Sequence, residues 1–494
     1  MSLKKASLIL TGITAVGMIF GMGKQIVIAK YFGTSAELDS FLIACAIPSV
    51  IGGISIGFFS SIIIPILTPL KEKPGEMAEA ITPIIFFAFL LAIGTAIFGF
   101  AFKEFLLKLL TTYEGERLSY IAHLAGYVWI ITGINIFTYF LSALFNLYKR
   151  FILPALVNLL IPIGIILATI FLSNKINIES ITIGWLIASI IGLLLMFPIV
   201  FKIGVGFNRI KDSIVYNKAV FFNSIPVLIG GMPFTILPTI DSFWTSKLPT
   251  GSMSYIGYCT SITIAIDTLV KNGVYTAILP YLSENFSSGD DNIFWHRTTL
   301  ALKYIYAILI PVVIFFIYFR QDLIQLLFER GRFSKQSTEN VYSLLPYYLI
   351  GGLLAMVPVT ILNRAYYARQ QFLSFASIGI VMIIFYFIFS GLLSHRFGVY
   401  GIGMAYVAYW FIFLIVLTMY IKAPWINKQM LTLLFKLTLI SVASVGIIHY
   451  AFQGSYFILK GITGMTIFML LAHLMKVHRD IELEGLVKEI MSKV

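Results

Sequence analysis

Apolar stretches of about 20 residues recur from one end of this chain to the other, and no other feature limits its fold so strongly. A bilayer core of roughly 30 Å is crossed by about 20 apolar residues in helical form. Inside lipid only helices and closed barrels satisfy every backbone N–H and C=O. The runs are Ala6–Phe32, Phe41–Leu67, Ile81–Phe102, Ile121–Leu147, Phe151–Leu172, Ile181–Ile203 and Phe221–Trp244 in the first half. They continue as Met253–Leu279, Leu302–Phe319, Leu344–Ala365, Leu373–Ser394, Gly401–Ile421, Leu431–Phe452 and Tyr456–Met475. This pattern predicts an all-α polytopic membrane protein with about 14 transmembrane helices. Of 494 residues 59% are hydrophobic and only 12% charged, which leaves little mass for soluble domains.

The N-terminus reads as a retained first helix, because its apolar run is too long for a signal peptide and no small-residue cleavage site follows. Cys45 and Cys259 fall in predicted helices and pack as small apolar side chains. A net charge of +13 without a soluble basic domain points to membrane topology and away from nucleic acid. With Met1–Lys5 inside, alternate loops give about 18 Lys/Arg inside and about 11 outside, so both termini are expected in the cytoplasm. Residues 476–494 read as a cytoplasmic amphipathic tail.

The chain also resembles itself. "AKYFGTSAELDSF" from Ala29 pairs with "SKLPTGSMSYIGY" from Ser246, and "GFFSSIIIPIL" from Gly57 with "GVYTAILPYL" from Gly273. Phe151 pairs with Phe372 and Ile183 with Ile402, in the same order and at nearly one offset. The expected organisation is two pseudo-symmetric six-helix lobes, residues 1–205 and 219–422, then extra helices within 431–475. Parallel repeats of this kind suit a transporter that rocks one half against the other around a central site. A channel would show a filter-like segment, and none is visible.

Ionisable residues inside lipid are expensive and mark substrate or ion paths. Lys24, Lys271 and Arg364 oppose Asp241 and Asp267, a small cationic excess suited to a phosphate or carboxylate. Snorkelling is the alternative for Lys24, and an ion pair one helical turn apart for Asp267 and Lys271. Asn135, Asn146, Asn158 and Asn272 could equally bond between helices. The chain shows no Walker A loop, HExxH or GxSxG, and its six histidines lack metal spacing. No enzyme, metal or cofactor is expected, and transport would run on an ion gradient, the membrane potential or the substrate's own gradient.

"IAKYFGTSAELDSFLIACAIP", "IDSFWTSKLPTGSMSYIGY", "ILPYLSENF", "LLFERGRFSKQSTENV", "RAYYARQQ" and "NLYKRFILPALVN" together resemble the MurJ-type lipid flippases of the MOP exporter superfamily. The resemblance spans helices 1 to 12, and "LFERGRFS", Leu327–Ser334, is its most specific piece. It implies fourteen helices in two lobes. It further implies movement of a polyprenyl-diphosphate-linked saccharide, lipid II above all, to the outer leaflet of a bacterial cell membrane, with membrane lipids around the tail. On this resemblance Lys24 replaces a family arginine and Asp39 matches a family aspartate; with the intramembrane cations Lys271 and Arg364 they make up the expected substrate-binding residues. Asp241 resembles a sodium-associated aspartate; Asp241 and, from its place inside an apolar run, Asp267 are the candidates for ion binding or gating, with the coupling ion, Na+ or H+, left open. The family's paired helix 2 arginines fall on Gly52 and Gly53, its helix 8 pair near Ser261 and Ile264, and helix 11 around Ile383–Phe389 is apolar. Teichoic acid, capsule or O-antigen precursors remain alternative cargoes, as does an ion-coupled multidrug or metabolite antiporter.

Overall fold

The computed structural model describes residues 3–68, 70, 74–202, 229–283, 291–369, 371–452 and 457–482. Among them the regular elements are all helical, and no strand occurs. Among the described residues twelve helices are long and apolar enough to cross a membrane, and Leu459–Leu474 is a shorter apolar helix. The first six long helices are α1 Leu3–Phe32, α2 Ala36–Leu67, α3 Pro74–Leu110, α4 Gly115–Leu147, α5 Ile152–Ile176 and α6 Glu179–Met196. Next come α7 (residues 229–235 joined to Leu237–Thr245), α8 Ser252–Ser283 and α9 Asp291–Tyr318. α10 is composite, Lys335–Leu349, Ile350–Met356 and Val357–Ala368; α11 Phe372–Phe397, α12 Val399–Tyr420, α13 Lys428–Ala451 and α14 Phe457–Leu474 complete the chain.

The predicted runs and these helices correspond one to one, with two irregularities. α7 bends at Ile236 because Pro238 has no N–H to continue the ladder across the join. Residues 221–228, the start of the expected seventh run, lie outside the described residues. In α10, Ile350–Met356 is a π-helical stretch. It precedes Pro358, which offers no N–H to the carbonyl four residues back. That carbonyl, on Leu354, accepts instead from the Tyr306 hydroxyl at 3.1 Å. The expected tail shows a single turn, Val477–Asp480, held by Lys436 to Asp480 at 2.7 Å, and residues 483–494 lie outside the described residues.

Packing gathers the chain into two compact units. The first comprises Met1–Tyr258, Phe328–Ser337 and Phe372–Ile402; the second comprises Cys259–Leu327, Thr338–Gln371 and Gly403–Val494. This is a statement about contact, whereas the two lobes expected from the repeats are a statement about sequence offset. In the first unit α3 packs on α4, α5 on α6, α2 on α4 and α1 on α5. Lipid offers no hydrophobic gain for helix association, so small residues that let backbones approach do much of the work. Gly164 and Gly184 show this best: a Cβ on either would meet the other's carbonyl oxygen, at 2.5–2.7 Å. Gly184→Leu is therefore expected to lower the stability of the purified protein by about 1–3 kcal/mol through overpacking, read as a lower unfolding temperature in detergent. In the second unit α9 packs on α13 and α10, and α13 on α14. Large side chains such as Phe171, Leu194 and Met419 stand exposed on helix faces, as lipid-facing positions must.

Candidate functional site

A cavity of about 180 Å³ opens inside the first unit, where α1, α2, α5, α6 and the start of α8 converge. α1 contributes Lys24, Gln25 and Ile28; α2 contributes Phe41, Leu42 and Cys45. Ile161 and Ile165 of α5, Ile181 and Trp185 of α6, and Ser254 and Tyr258 of α8 close the wall. Lys24 is half-buried, and its ammonium has no hydrogen-bond or ion-pair partner among the described residues. The apolar lining weakens solvent screening, so the charge acts on a visiting anion more strongly than a surface lysine would. The Lys24 side chain borders this partly open space.

Asp39 stands one turn from the cavity residue Leu42, on the same helix. It is 3% exposed, and both its oxygens are engaged. Oδ2 accepts from Gly251 N–H at 2.6 Å, and Oδ1 accepts from the Ser254 N–H at 2.8 Å and its hydroxyl at 2.6 Å. These N–H groups belong to the first turn of α8 and the residue before it, which no intrahelical carbonyl can reach. Asp39 is thus an N-cap supplied from another helix, with the α8 dipole adding to its hold. The Arg117 charge also acts on it.

Beside this cap, the α1–α2 turn meets the "LFERGRFS" segment backbone to backbone. Arg332 N–H donates to the Lys30 carbonyl at 2.9 Å. Gly33 and Gly331 have φ of 58° and 61°, the left-handed region that glycine occupies without strain. A Cβ on Gly33 would collide with the Arg332 carbonyl, and one on Gly331 with the Lys30 carbonyl. Phe328 and Phe333 pack against the Tyr258 ring, with centroids 4.9 and 5.1 Å away. The Tyr258 hydroxyl donates to the Gly33 carbonyl at 2.7 Å, and the Thr34 and Ser337 hydroxyls lie 2.8 Å apart.

The other candidate residues stand apart from the cavity. Asp241 of α7 is 3% exposed and accepts a hydrogen bond from the Tyr386 hydroxyl of α11. The expectation of a purely apolar helix 11 around Ile383–Phe389 is corrected here: its one tyrosine turns a polar tip onto the aspartate while its ring packs as an apolar side chain. Asp267 is 6% exposed and Arg364 is exposed; both belong to the second unit and neither lines the cavity. The Lys271 side chain lies outside the described residues, so its pairing with Asp267 does too. Gly52, where the resemblance puts an arginine, has open space where a Cβ would stand, whereas a Cβ on Gly53 would meet Thr235 at 2.8 Å.

The family model described as MurJ, lipid II flippase MurJ, matches residues 28–472. The chain belongs to the MurJ family. A curated relative from Burkholderia cenocepacia, named lipid II flippase MurJ, is 23% identical and aligned over 78% of this chain and 77% of its own length. A solved structure titled lipid II flippase MurJ, inward closed conformation, superposes with TM-score 0.82 at 21% identity, covering 96% of this chain and 99% of that one. A Vibrio cholerae MATE transporter superposes with TM-score 0.61 at 16% identity, over 87% of this chain and 99% of that one. Both superpositions speak to fold. The MurJ match encloses Asp39 and the whole "LFERGRFS" segment, while Lys24 and Gln25 lie just before its first matched residue.

Sequence reasoning missed Trp185, Gln25, Tyr258 and Ser254 as neighbours of Lys24. Trp185 and Tyr258 counted as apolar residues in apolar runs, and nothing in their spacing ties them to a lysine on another helix. Ser254 carried a signal that went unused: it lies one residue after Met253, at the start of a predicted run, where helix-capping donors gather.

Proposed function

We propose that this MurJ-family chain is a flippase for a polyprenyl-diphosphate-linked saccharide, lipid II first among them, carrying it from the inner to the outer leaflet of a bacterial cell membrane by alternating access. The observation that carries the reading is the unpartnered Lys24 ammonium inside an otherwise largely apolar cavity of a chain that matches the lipid II flippase family over residues 28–472. A half-buried cation with no counter-charge among the described residues favours an anionic visitor, and a diphosphate brings the charge it lacks. The size agrees: an engineered cavity of about 150 Å³ holds a benzene molecule. At about 180 Å³ this partly open cavity has room for a compact group such as the diphosphate. Both termini sit in the cytoplasm on this reading, and the "LFERGRFS" joint lies at the outer ends of its helices.

The test is replacement of the native lipid II flippase in a bacterium where that protein can be shut off. Growth and normal cell shape after shut-off are the expected result. A well-inserted protein that fails to rescue sinks lipid II as cargo and moves the assignment to another polyprenyl-linked glycan. One observation favours that second cargo: Gly52 and Gly53 bring no side-chain cation where the family resemblance places two arginines.

A further inference from the structure

We propose that Lys303 is the floor of an anion seat that the chain's own Glu482 fills in this structure, and that a phosphate group takes the place of Glu482 when the seat is loaded. The seat lies in the second unit, where α9, the first turn of α13 and the terminal turn meet, and it shares no residue with the Lys24 cavity. Lys303 belongs to the interior of α9, and its side chain is 7% exposed. A lysine is almost never so buried without a partner. Its partner is Glu482, the last described residue, with Nζ donating to Oε1 at 3.1 Å. Two more groups of α9 turn to the same residue: His296 Nε2 lies 3.6 Å from Oε2, and the Tyr304 hydroxyl donates to the Glu482 carbonyl at 3.4 Å. Positions 296, 303 and 304 recur at helical spacing, so they share one face. The ion pair is lopsided, since the carboxylate side chain is 45% exposed. The half free to leave is therefore the carboxylate, and the lysine left behind is a buried charge that demands another anion.

An open cavity of about 400 Å³ surrounds this contact, lined by Lys303, Lys428, Gln429, Arg479 and the two acids Asp480 and Glu482. Both acids are already matched, Asp480 by Lys436 at 2.7 Å and Glu482 by Lys303. The side chains of Lys428 and Arg479 have no hydrogen-bond or ion-pair partner among the described residues. Two cations thus face the space in excess of its carboxylates. Lysine and arginine offer donors alone, and the arginine fork matches phosphate oxygens. Lys428 is the first residue of α13, where the helix dipole adds positive potential. One carboxylate reaches Lys303 but leaves the cations across the cavity unanswered; a phosphate group carries more charge and more oxygens. Its source is an anionic lipid, as basic pockets between membrane helices accept, or a soluble phosphate compound.

The experiment titrates the purified full chain, in a neutral detergent, with two probes by calorimetry. One is phosphatidylglycerol in mixed micelles, set against phosphatidylcholine as the net-neutral control; the other is inorganic pyrophosphate. Joint substitution Lys428→Gln and Arg479→Gln is expected to weaken binding by about ten-fold or more, the size of one hydrogen bond to a charged group. Glu482→Gln is expected to tighten binding about ten-fold, because the internal competitor has lost its charge. Tightening toward phosphatidylglycerol identifies a lipid as the source, and tightening toward pyrophosphate alone identifies a soluble one. A purely structural ion pair predicts otherwise: Glu482→Gln would lower the unfolding temperature and gain no affinity for either probe. That result overturns the proposal. So does failure of both probes to bind, or binding indifferent to Lys428 and Arg479. Both of these side chains are exposed, so their loss spares the fold on which the test is read.

Discussion

Lys24→Met lowers flipping of the lipid-linked substrate by about ten- to a hundred-fold while membrane insertion and folding are unchanged. The magnitude is that of losing a charge-assisted hydrogen bond in a poorly screened site. Folding is spared because the ammonium holds no protein partner among the described residues, so its removal leaves no orphaned acceptor. Methionine keeps an unbranched stem of similar length in a wall that also holds Ile161, Ile165 and Phe41. Lys24→Arg retains activity or raises it, since guanidinium grips a phosphate through two parallel bonds. The measurement is lipid II accessibility at the outer leaflet in cells that depend on this chain. Full activity of Lys24→Met removes the cationic cavity from the mechanism.

Asp39→Ala produces the largest effect on stability. Three donors of the α8 start, two of them backbone N–H groups, lose their acceptor at a site that is 3% exposed. The expected loss is about 3 kcal/mol, read as a lower unfolding temperature of the purified protein without substrate. Asp39→Asn restores only part of it. Its amide oxygen can face Ser254, and its NH₂ then opposes the Gly251 N–H. The same data separate two roles for this residue. A carboxylate that serves the substrate alone would leave the unfolding temperature of the empty protein unchanged on conversion to alanine and would lower transport only.

Which parts of this could be read from sequence follows from what each contact is made of. Helices were legible because lipid permits almost nothing else, and the breaks in α7 and α10 had their causes in view at Pro238 and Pro358. Lys24 was legible because a charge in an apolar run is conspicuous. Its cavity was not, since the wall comes from five helices whose only common mark is hydrophobicity. Asp39 was noticed through its resemblance to a family residue, yet its partners are chiefly backbone N–H groups more than 200 positions away. Backbone carries no letter in a sequence. Tyr386 and Trp185 were hidden for a third reason: each is an apolar body with one polar atom, and a pattern of runs registers the body alone.

The Gly33–Gly331 joint carries a consequence for how such a chain varies over generations. Most contacts between distant segments pair two side chains, so a change on one side can be answered by a change on the other. Here each position asks only that nothing be attached to the α-carbon, and it asks this whatever its opposite number does. No second substitution can repair a first. At these two positions the joint therefore leaves no correlated pair of mutations, only two separate intolerances, and related sequences compared for co-variation would pass over them.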